Sequence, residues 1–307
     1  MLAPLGLAGM MAQRGEAQAV KAANAAELPF TLSTVGICPL AEVKAAATAP
    51  FWFQLYMIRD RGYVENLLKK AWDSGCQTLI FTIDLPLPGP RHRDTRNGLN
   101  SAGDRSVALK AQQLLSRPGW LWQVAIKGKP LTFGNLSDAV PEASNLDSFK
   151  QWVDTQFDAS VTWQAIEWLR ERWPGKLILK GILEVDDAKA AVNVGADGIV
   201  VSNTTVERPD TSHARDAAVF DEQGGMSGQP LKERSTSMIR TVRKATGPDW
   251  PIIGVGGIAS ADDAWEKIAA GATLIQAYSG FVFEGPALTK SIVNGLHKRL
   301  QASPYTS

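Results

Sequence analysis

The alternation of short apolar runs with longer helical patterns is the feature of this sequence that most constrains its fold. The apolar runs are nearly continuous, which is typical of parallel strands covered on both faces, and polar turns and helical patterns follow them. The runs are PFTLSTV (29–35), FWFQLY (51–56), TLIFTID (78–84), KLILKGI (176–182), GIVVSN (198–203), PIIGVGGI (251–258) and TLIQAYS (273–279). The helical patterns cover about 14–27, 62–75, 161–172, 185–194, 232–246, 260–270 and 287–301.

A shortened first strand completes the eight strands that a closed barrel of this kind needs. LAPLG (2–6) is apolar and precedes the first helical pattern, so that eight strands are predicted in all. A length of 307 residues is normal for one barrel of this kind. We therefore predict an α/β fold, a single (β/α)8 TIM barrel over 1–307, in which 2–6 pairs with the runs at 29–35 and 273–279. An unpaired first strand would leave exposed edges and favour association of the chain.

Two long segments interrupt the alternation. Residues 85–160 follow the fourth strand and begin with PLPGPRHRD, and residues 204–231 follow the sixth strand and end with GGMSGQP. Long connections in compact domains are commonly functional, and barrel active sites lie at the carboxyl ends of the strands. Both segments are therefore expected to border a site.

Composition excludes several classes of function. A net charge of +1 gives no reason to expect nucleic acid as a partner. Two cysteines, Cys38 and Cys76, are too few for a disulfide framework; they are expected to be buried in a reducing compartment, so we expect a cytoplasmic protein. The sequence contains no apolar run of about 18 residues, no signal peptide and no cluster with metal-ligand spacing, so neither a transmembrane helix nor a metal is expected.

Polar side chains stand at the carboxyl ends of several apolar runs. Each of them alone could simply cap the following helix, but strand ends meet at one mouth of a barrel, which favours a shared ligand site. Lys180 ends LILK and is expected either to pair with a carboxylate or to point at a ligand. The residues at strand ends are Ser33, Gln54, Tyr56, Thr82, Asp84, Lys180, Ser202 and Asn203.

Glycine-rich turns after the last strands predict a phosphate site. Gly256 and Gly257 follow PIIGV, GGMSG (224–228) closes the long loop, and AYSG (277–280) follows the eighth strand. Backbone N–H groups at the mouths of the last two strands form the common phosphate site of barrels, and glycine lets the backbone approach the ligand closely. Ordinary structural turns are the alternative.

The charged side chains of the long loops leave two interpretations open. Arg91, His92 and Arg93 form either a clamp for a carboxylate or a solvated basic loop. His213 lies in the charged loop after the sixth strand, where solvent exposure is the simpler interpretation and a base the alternative.

These residues resemble two families on two parts of the chain. Residues 2–203 resemble the FMN-dependent α-hydroxy-acid (L-lactate) dehydrogenases in LAPLGLAGM, PFTLSTVGICPLAEV, FWFQLYMIRDRGY, TLIFTIDLPLPGPRHRD and LILKGIL followed by DDA. Residues 195–302 resemble the membrane-type (class 2) dihydroorotate dehydrogenases in SNTTVERP, GGMSGQPLKERST, PIIGVGGIASADDAWEKIAAGA and QAYSGFVFEGP. Both families are FMN enzymes on (β/α)8 barrels. The resemblance therefore implies an FMN-linked oxidoreductase chimera that is joined at the sixth strand, near 203 and 204.

The first resemblance implies flavin contacts and part of a substrate site. It assigns the substrate carboxylate to Tyr56 and Arg91, and it places Lys180 near the flavin, where an ammonium stabilises the reduced anion. The family keeps a histidine base in a motif of the type SNHGGRQ, where this chain has SNTTVER (202–208). The catalytic base is therefore expected to be missing, with His213 as a weak replacement. The residues that the resemblance assigns to FMN are Ala3, Ser33, Gln54, Thr82 and Lys180, and Ser202 at the sixth strand is added to them.

The second resemblance implies further flavin contacts. It assigns orotate contacts to Asn203 and Thr204 and FMN contacts, mainly at the phosphate, to Ser227, Gly228, Gly256, Gly257, Tyr278 and Ser279. The serine base of that family belongs to a part that this chain lacks. We therefore expect FMN binding with little turnover of a small carboxylate substrate, either a 2-hydroxy acid or dihydroorotate. The alternatives are a non-catalytic flavin-binding barrel, a barrel that binds only phosphate, and an active lactate or dihydroorotate dehydrogenase. No membrane association is expected, and a homo-oligomer is a further expectation.

Overall fold

The computed structural model is a barrel of eight parallel strands that follow one another in chain order. It describes residues 1–84, 111–112, 114–139, 152–205 and 225–303. Each strand pairs in parallel with the next, which confirms the predicted α/β barrel. The strands are Leu2–Leu5 (β1), Phe30–Ser33 (β2), Trp52–Tyr56 (β3), Thr78–Thr82 (β4), Lys176–Lys180 (β5), Gly198–Val201 (β6), Ile252–Val255 (β7) and Leu274–Gln276 (β8).

The short first strand closes the barrel. Leu2 pairs with Phe30 on β2 and forms a parallel bridge with Ala277, directly after β8. The amide of Ala3 donates to the carbonyl of Ala277 over 3.0 Å, and the amide of Leu2 donates to the carbonyl of Pro29 over 3.1 Å. The predicted pairing of 2–6 with both neighbouring runs is therefore confirmed, and four residues suffice for closure.

The observed strands are shorter at their carboxyl ends than the predicted runs. Residues 83–84, 202–203, 256–258 and 277–279 belong to the apolar runs of the sequence but lie beyond the strands, although Ile83 and Ala277 still bond to neighbouring strands. At these points the chain turns outward into a loop, so the final residues of each run line the mouth of the barrel. The carboxyl ends of these predicted strands were therefore wrong, because at these points the backbone leaves the sheet and enters the loops at the mouth.

The helices surround the barrel. Side-chain caps begin three of them: Asp60, Thr162 and Ser260 accept hydrogen bonds from the amides of Tyr63, Ala165 and Asp263. The three short helices at 8–11, 40–46 and 279–284 were not predicted, because one or two turns are too short to show a helical period. The α-helices are Ala8–Met11 (α1), Gly15–Ala25 (α2), Leu40–Ala46 (α3), Arg61–Asp73 (α4), Pro118–Trp120 (α5), Trp163–Arg172 (α6), Val185–Asn193 (α7), Lys232–Thr246 (α8), Ala261–Ala269 (α9), Ser279–Glu284 (α10) and Pro286–Gln301 (α11). No helix in the described part of the chain is long and apolar enough to cross a membrane.

Two hydrophobic clusters hold the barrel together. The larger one lies between the sheet and the surrounding helices and contains both cysteines, as predicted. The smaller one comes from side chains that alternate with the outward-facing residues of the strands and therefore point inward. It consists of Met1, Ile80, Ile178, Val200, Ile253 and Val255, with Trp52 packed against it. The interior is thus a packed core, and the polar residues stand above it at the carboxyl ends of the strands.

The buried carboxylate of Glu16 holds the loops after β1 and β2 together. Glu16 is 1 % exposed and accepts backbone hydrogen bonds from Gly9, Ile37 and Cys38. We expect Glu16→Ala to lower the free energy of unfolding by about 2–4 kcal/mol, because it leaves buried amides without an acceptor. Urea unfolding measures this loss. Glu167→Ala, at an exposed position of α6, is the control and should change stability by less than about 0.5 kcal/mol.

Candidate functional site

A chain of hydrogen bonds joins the polar residues at the ends of β2, β3 and β4. The hydroxyl of Ser33 donates to Gln54 Oε1 over 3.0 Å, and Gln54 Nε2 donates to Thr82 Oγ1 over 3.0 Å. All three side chains are buried. The structure therefore brings together three of the predicted cofactor residues at one mouth of the barrel, with Gln54 fixed in orientation between its neighbours.

Lys180 continues this row on β5. It lies opposite Thr82 in the ladder and is 7 % exposed. Burial lowers the pKa of Lys180, and the nearby carboxylate of Asp84 acts in the opposite direction. Among the residues that the structure describes, no hydrogen bond or ion pair reaches its ammonium group. The interpretation as a structural bridge therefore loses support, because a buried charge without a partner costs stability unless a ligand meets it.

The end of β6 lies against Asp84. Asn203 Nδ2 donates to Asp84 Oδ1 over 2.9 Å, and Ser202 donates to the carbonyl of Asn203 over 3.2 Å. Thr204 is exposed, whereas Thr205 is buried and forms an antiparallel bridge with Met226. Thr204 thus lies beside the Asp84–Asn203 pair, where its amide donates to Asn203 Oδ1 over 2.9 Å.

Tyr56 stands at the end of β3, next to Thr82 in the ladder. Burial raises the pKa of its hydroxyl, and the nearby groups of Tyr278 and Asp84 raise it further. The phenol therefore stays protonated and can donate a hydrogen bond, as a role in binding a carboxylate requires.

Three glycine-containing loops meet beside β7 and β8. Ser279 donates to Ser227 Oγ over 3.2 Å, and Gln229 Nε2 donates to the carbonyl of Gly257 over 3.2 Å. Gly256 and Gly257 have φ angles of 112° and 70°, and a Cβ on Gly257 would lie 2.5 Å from the Cβ of Lys232. The backbone at this point can therefore be built only with glycine. The predicted phosphate residues thus lie together, in the cradle formed by 227–228, 256–257 and 278–279.

The remaining predicted residues lie in other places. Ala3 is buried on β1, where it pairs with Ala277. Arg91, His92, Arg93 and His213 lie outside the described residues, so their roles stay predictions.

Two polar residues near the mouth were missed at the sequence level. Gln276 at the end of β8 is 0 % exposed, and within the described part neither of its side-chain amide atoms has a hydrogen-bond partner. It carries the same signal as Gln54, a polar residue that ends an apolar run. Asn135 is buried and bonds to the amide of Leu40 and the carbonyl of Ser33, so it ties the long segment after β4 to the loop after β2. No local pattern marks Asn135, because its partners are distant in sequence.

The chain is thus a closed (β/α)8 barrel with a polar row and a glycine cradle at one mouth, an arrangement that suits a phosphorylated ligand. Comparison with known proteins makes this class specific. The chain belongs to the FMN-dependent dehydrogenase family, whose model matches residues 1–284.

Its curated relatives include L-lactate dehydrogenases. The chain is 41% identical over 282 residues to "L-lactate dehydrogenase" of Caulobacter sp. (strain K31), which covers 92% of this chain and 68% of the relative. It is 50% identical over 203 residues to the protein of the same name from Actinobacillus pleuropneumoniae serotype 5b (strain L20), which covers 66% of this chain and 53% of the relative. This chain therefore spans only part of the length of these relatives.

The solved structures agree on the fold. "Crystal structure of monotopic membrane protein (S)-mandelate dehydrogenase" superposes with a TM-score of 0.76 at 24% sequence identity and covers 98% of this chain and 74% of that one. A putative lactate oxidase of Pediococcus acidilactici superposes with a TM-score of 0.68 at 21% identity. At these identities the likeness shows the fold alone.

Family membership implies FMN as the cofactor, and the residues at the mouth fit it. The amide of Gln54 suits the polar edge of an isoalloxazine ring, as does the ammonium of Lys180, which has no partner among the described residues. The unpartnered amide of Gln276 offers a further donor and acceptor. The cradle would hold the phosphate, since Gly256 and Gly257 let this backbone lie close against α8 at the mouth of the barrel.

The cradle can be tested with a pair of glycine variants. In Gly257→Ala the new methyl group would meet Lys232 and the backbone would be strained, so we expect FMN affinity to fall tenfold or more, by about 1–3 kcal/mol. Gly247→Ala is the matched control. Gly247 has a φ of 84°, but its Cβ position has no heavy atom within 4 Å, so the strain is similar without a clash. Flavin fluorescence titration should show near-normal affinity for the control; equal losses in both variants would argue against the cradle.

Proposed function

We propose that this chain binds FMN at the mouth of the barrel and is an oxidoreductase for small 2-hydroxy acids of the lactate type, with impaired turnover. The single observation that carries the proposal is the buried row that runs from Ser33 through Gln54 and Thr82 to Lys180, whose ammonium has no partner in the described part of the chain. A buried ammonium at the end of this row does not stabilise the fold by itself. A bound flavin ring would give the ammonium of Lys180 a partner.

The bound FMN would accept the two electrons that leave the substrate carbon as a hydride. The protein's own residues would orient the two partners. Tyr56 would donate to the substrate carboxylate, with Arg91 as the predicted second donor. Lys180 would hold its ammonium at the ring and favour negative charge there. Removal of the hydroxyl proton needs a base, and Thr204 stands in the place of the histidine that the hydroxy-acid dehydrogenases use.

Slow turnover follows from the missing base. A positioned base contributes typically ~10²–10⁴-fold to the rate. Asp84 is the carboxylate of the described mouth, but it is engaged by Asn203. We infer that this chain retains its affinity for FMN although its catalytic rate is reduced. FMN binding depends on many modest contacts, whereas proton removal depends on one group.

We further propose that the part after β6 is of the dihydroorotate dehydrogenase type. The support is the set of motifs from SNTTVERP to QAYSGFVFEGP, together with the cradle that these motifs form. Dihydroorotate is therefore the second candidate substrate, with Asn203 and Thr204 as its contacts.

One experiment separates the candidates. The purified protein is reconstituted with FMN, its visible spectrum is recorded, and it is mixed without oxygen with L-lactate or with dihydroorotate. A yellow protein whose flavin is bleached slowly by L-lactate supports the proposal. Rapid bleaching overturns the missing base, bleaching by dihydroorotate alone favours the second substrate, and no bleaching leaves a non-catalytic flavin-binding barrel. A colourless protein overturns FMN binding altogether. A cytoplasmic location and a homo-oligomer remain proposals.

A further inference from the structure

Behind the glycine cradle lies a fully buried lysine. Lys267 on α9 is 0 % exposed. Its ammonium donates to the carbonyl of Lys232 over 2.8 Å and to Thr236 Oγ1 over 2.6 Å, and it also bonds to Ser235 Oγ. All three acceptors are uncharged and lie in the first turns of α8. The charge of a buried ammonium held only by neutral oxygens is screened less than a charge at the surface, because the surrounding medium has a low dielectric constant.

The acceptors of Lys267 connect it directly to the cradle. Ser235 donates to the carbonyl of Gly256 over 3.2 Å, and a Cβ on Gly256 would lie 2.9 Å from Ser235 Oγ. A Cβ on Gly257 would touch the backbone of Lys232, whose carbonyl accepts from Lys267. The ammonium is therefore connected to the cradle through Ser235 and the backbone of Lys232.

The other cation at this point is already neutralised. Lys232 Nζ pairs with Asp263 over 2.7 Å and with Glu266 over 2.9 Å. Although burial opposes it, the hydrogen bonds from Lys232, Ser260 and the amide of Ala259 hold the pKa of Asp263 at about 2. Lys267 forms no ion pair with any residue of the described ranges. Of these two lysines, only Lys267 has a charge that is free to act on an anion in the cradle.

We propose that Lys267 is a positioning residue for the cofactor phosphate: its buried charge attracts the FMN phosphate through the first turn of α8 and fixes the shape of the cradle. The inference rests on the proposed placement of FMN. Fully buried cations are rare and costly, and within the described residues this one forms no ion pair. The charge acts on the phosphate and not on the ring, so it should raise the affinity for FMN without changing the affinity for riboflavin.

Riboflavin, which lacks the phosphate, makes the test specific. The FMN-free protein and its Lys267→Met variant are titrated with FMN and with riboflavin, followed by flavin fluorescence, and Lys244→Met on the exposed side of α8 is the control. We expect Lys267→Met to weaken FMN binding tenfold or more and riboflavin binding by less than about twofold. Equal losses for both ligands, or no loss for either, would overturn the inference. Wild-type protein that binds neither flavin would overturn the proposed function as well.

A second measurement does not depend on whether the variant folds. Burial lowers the pKa of Lys267 to about 8, so wild-type protein should lose its preference for FMN as the pH rises from 7 to 9. The charged groups that face Lys267 from α8 and α9 are Lys232, Arg240, Asp263 and Glu266. Hydrogen bonds to Asp263 and Glu266 raise the pKa of Lys232, and the pKa of Asp263 is held at about 2, so neither group changes its charge between pH 7 and 9. A constant ratio of FMN to riboflavin affinity between pH 7 and 9 would overturn the inference.

Discussion

Replacing Lys180 with methionine is expected to stabilise the FMN-free protein by about 1–3 kcal/mol and to weaken FMN binding tenfold or more. Both effects arise from the buried ammonium of Lys180, which lowers stability in the FMN-free protein and contacts FMN in the complex. Without a ligand, the buried ammonium of Lys180 has no partner among the described residues, and burial lowers its pKa. Methionine removes that desolvation cost while filling a similar volume. With FMN bound, the same ammonium meets the polar edge of the flavin ring, and methionine loses that contact.

The control for this prediction lies on the same strand. Lys176 begins β5, is exposed and pairs with Asp197 over 2.8 Å. Lys176→Met should therefore change the unfolding free energy by less than about 1 kcal/mol and leave FMN affinity unaltered. Thermal unfolding of the FMN-free proteins and fluorescence titration measure the two effects. A Lys180→Met protein that is less stable and still binds FMN normally would show that the lysine serves the fold.

The barrel itself could be predicted from the sequence because its signal is local. Every strand is a short apolar run and the longer helices have a clear period, so the count and order of the strands follow from the pattern. The row from Ser33 to Lys180 was predictable for the same reason: parallel strands end on one side, and polar side chains at their ends must meet there.

Contacts between distant segments could not be predicted in this way. Glu16, Asn135 and Lys267 each act through partners that only the folded chain brings near, and their local sequence resembles that of any helix or loop. Lys267 sits in a helix where a lysine is usually exposed, so its burial has no sequence signature. Gln276 differs from these, since its position at the end of an apolar run could have drawn attention to it.

Thr204→His is expected to raise the rate of flavin reduction by L-lactate about 10²-fold. The change places an imidazole, with an ordinary pKa near neutrality, at an exposed position of the mouth. We expect the imidazole to reach Asp84, since the preceding residue, Asn203, bonds to Asp84 Oδ1 over 2.9 Å. Within the described residues no hydrogen bond reaches Asp84 Oδ2, so this oxygen can accept from the new imidazole and orient it. A base oriented in this way takes the proton while the carbon loses its hydride, which is the step that this chain is proposed to lack.

Thr204→Gln separates the chemistry of the base from the bulk of the side chain. Glutamine has a similar length to histidine but cannot accept a proton near pH 7, so its flavin-reduction rate should stay at the wild-type level. Anaerobic stopped-flow mixing with L-lactate measures the three proteins. With an ordinary imidazole, the rate of Thr204→His should rise with pH through about 6.5, because only the neutral ring accepts the proton. If Thr204→His and Thr204→Gln reduce the flavin equally slowly, the missing histidine cannot be what limits this barrel. If wild-type protein is already fast, a base outside the described residues must serve in its place.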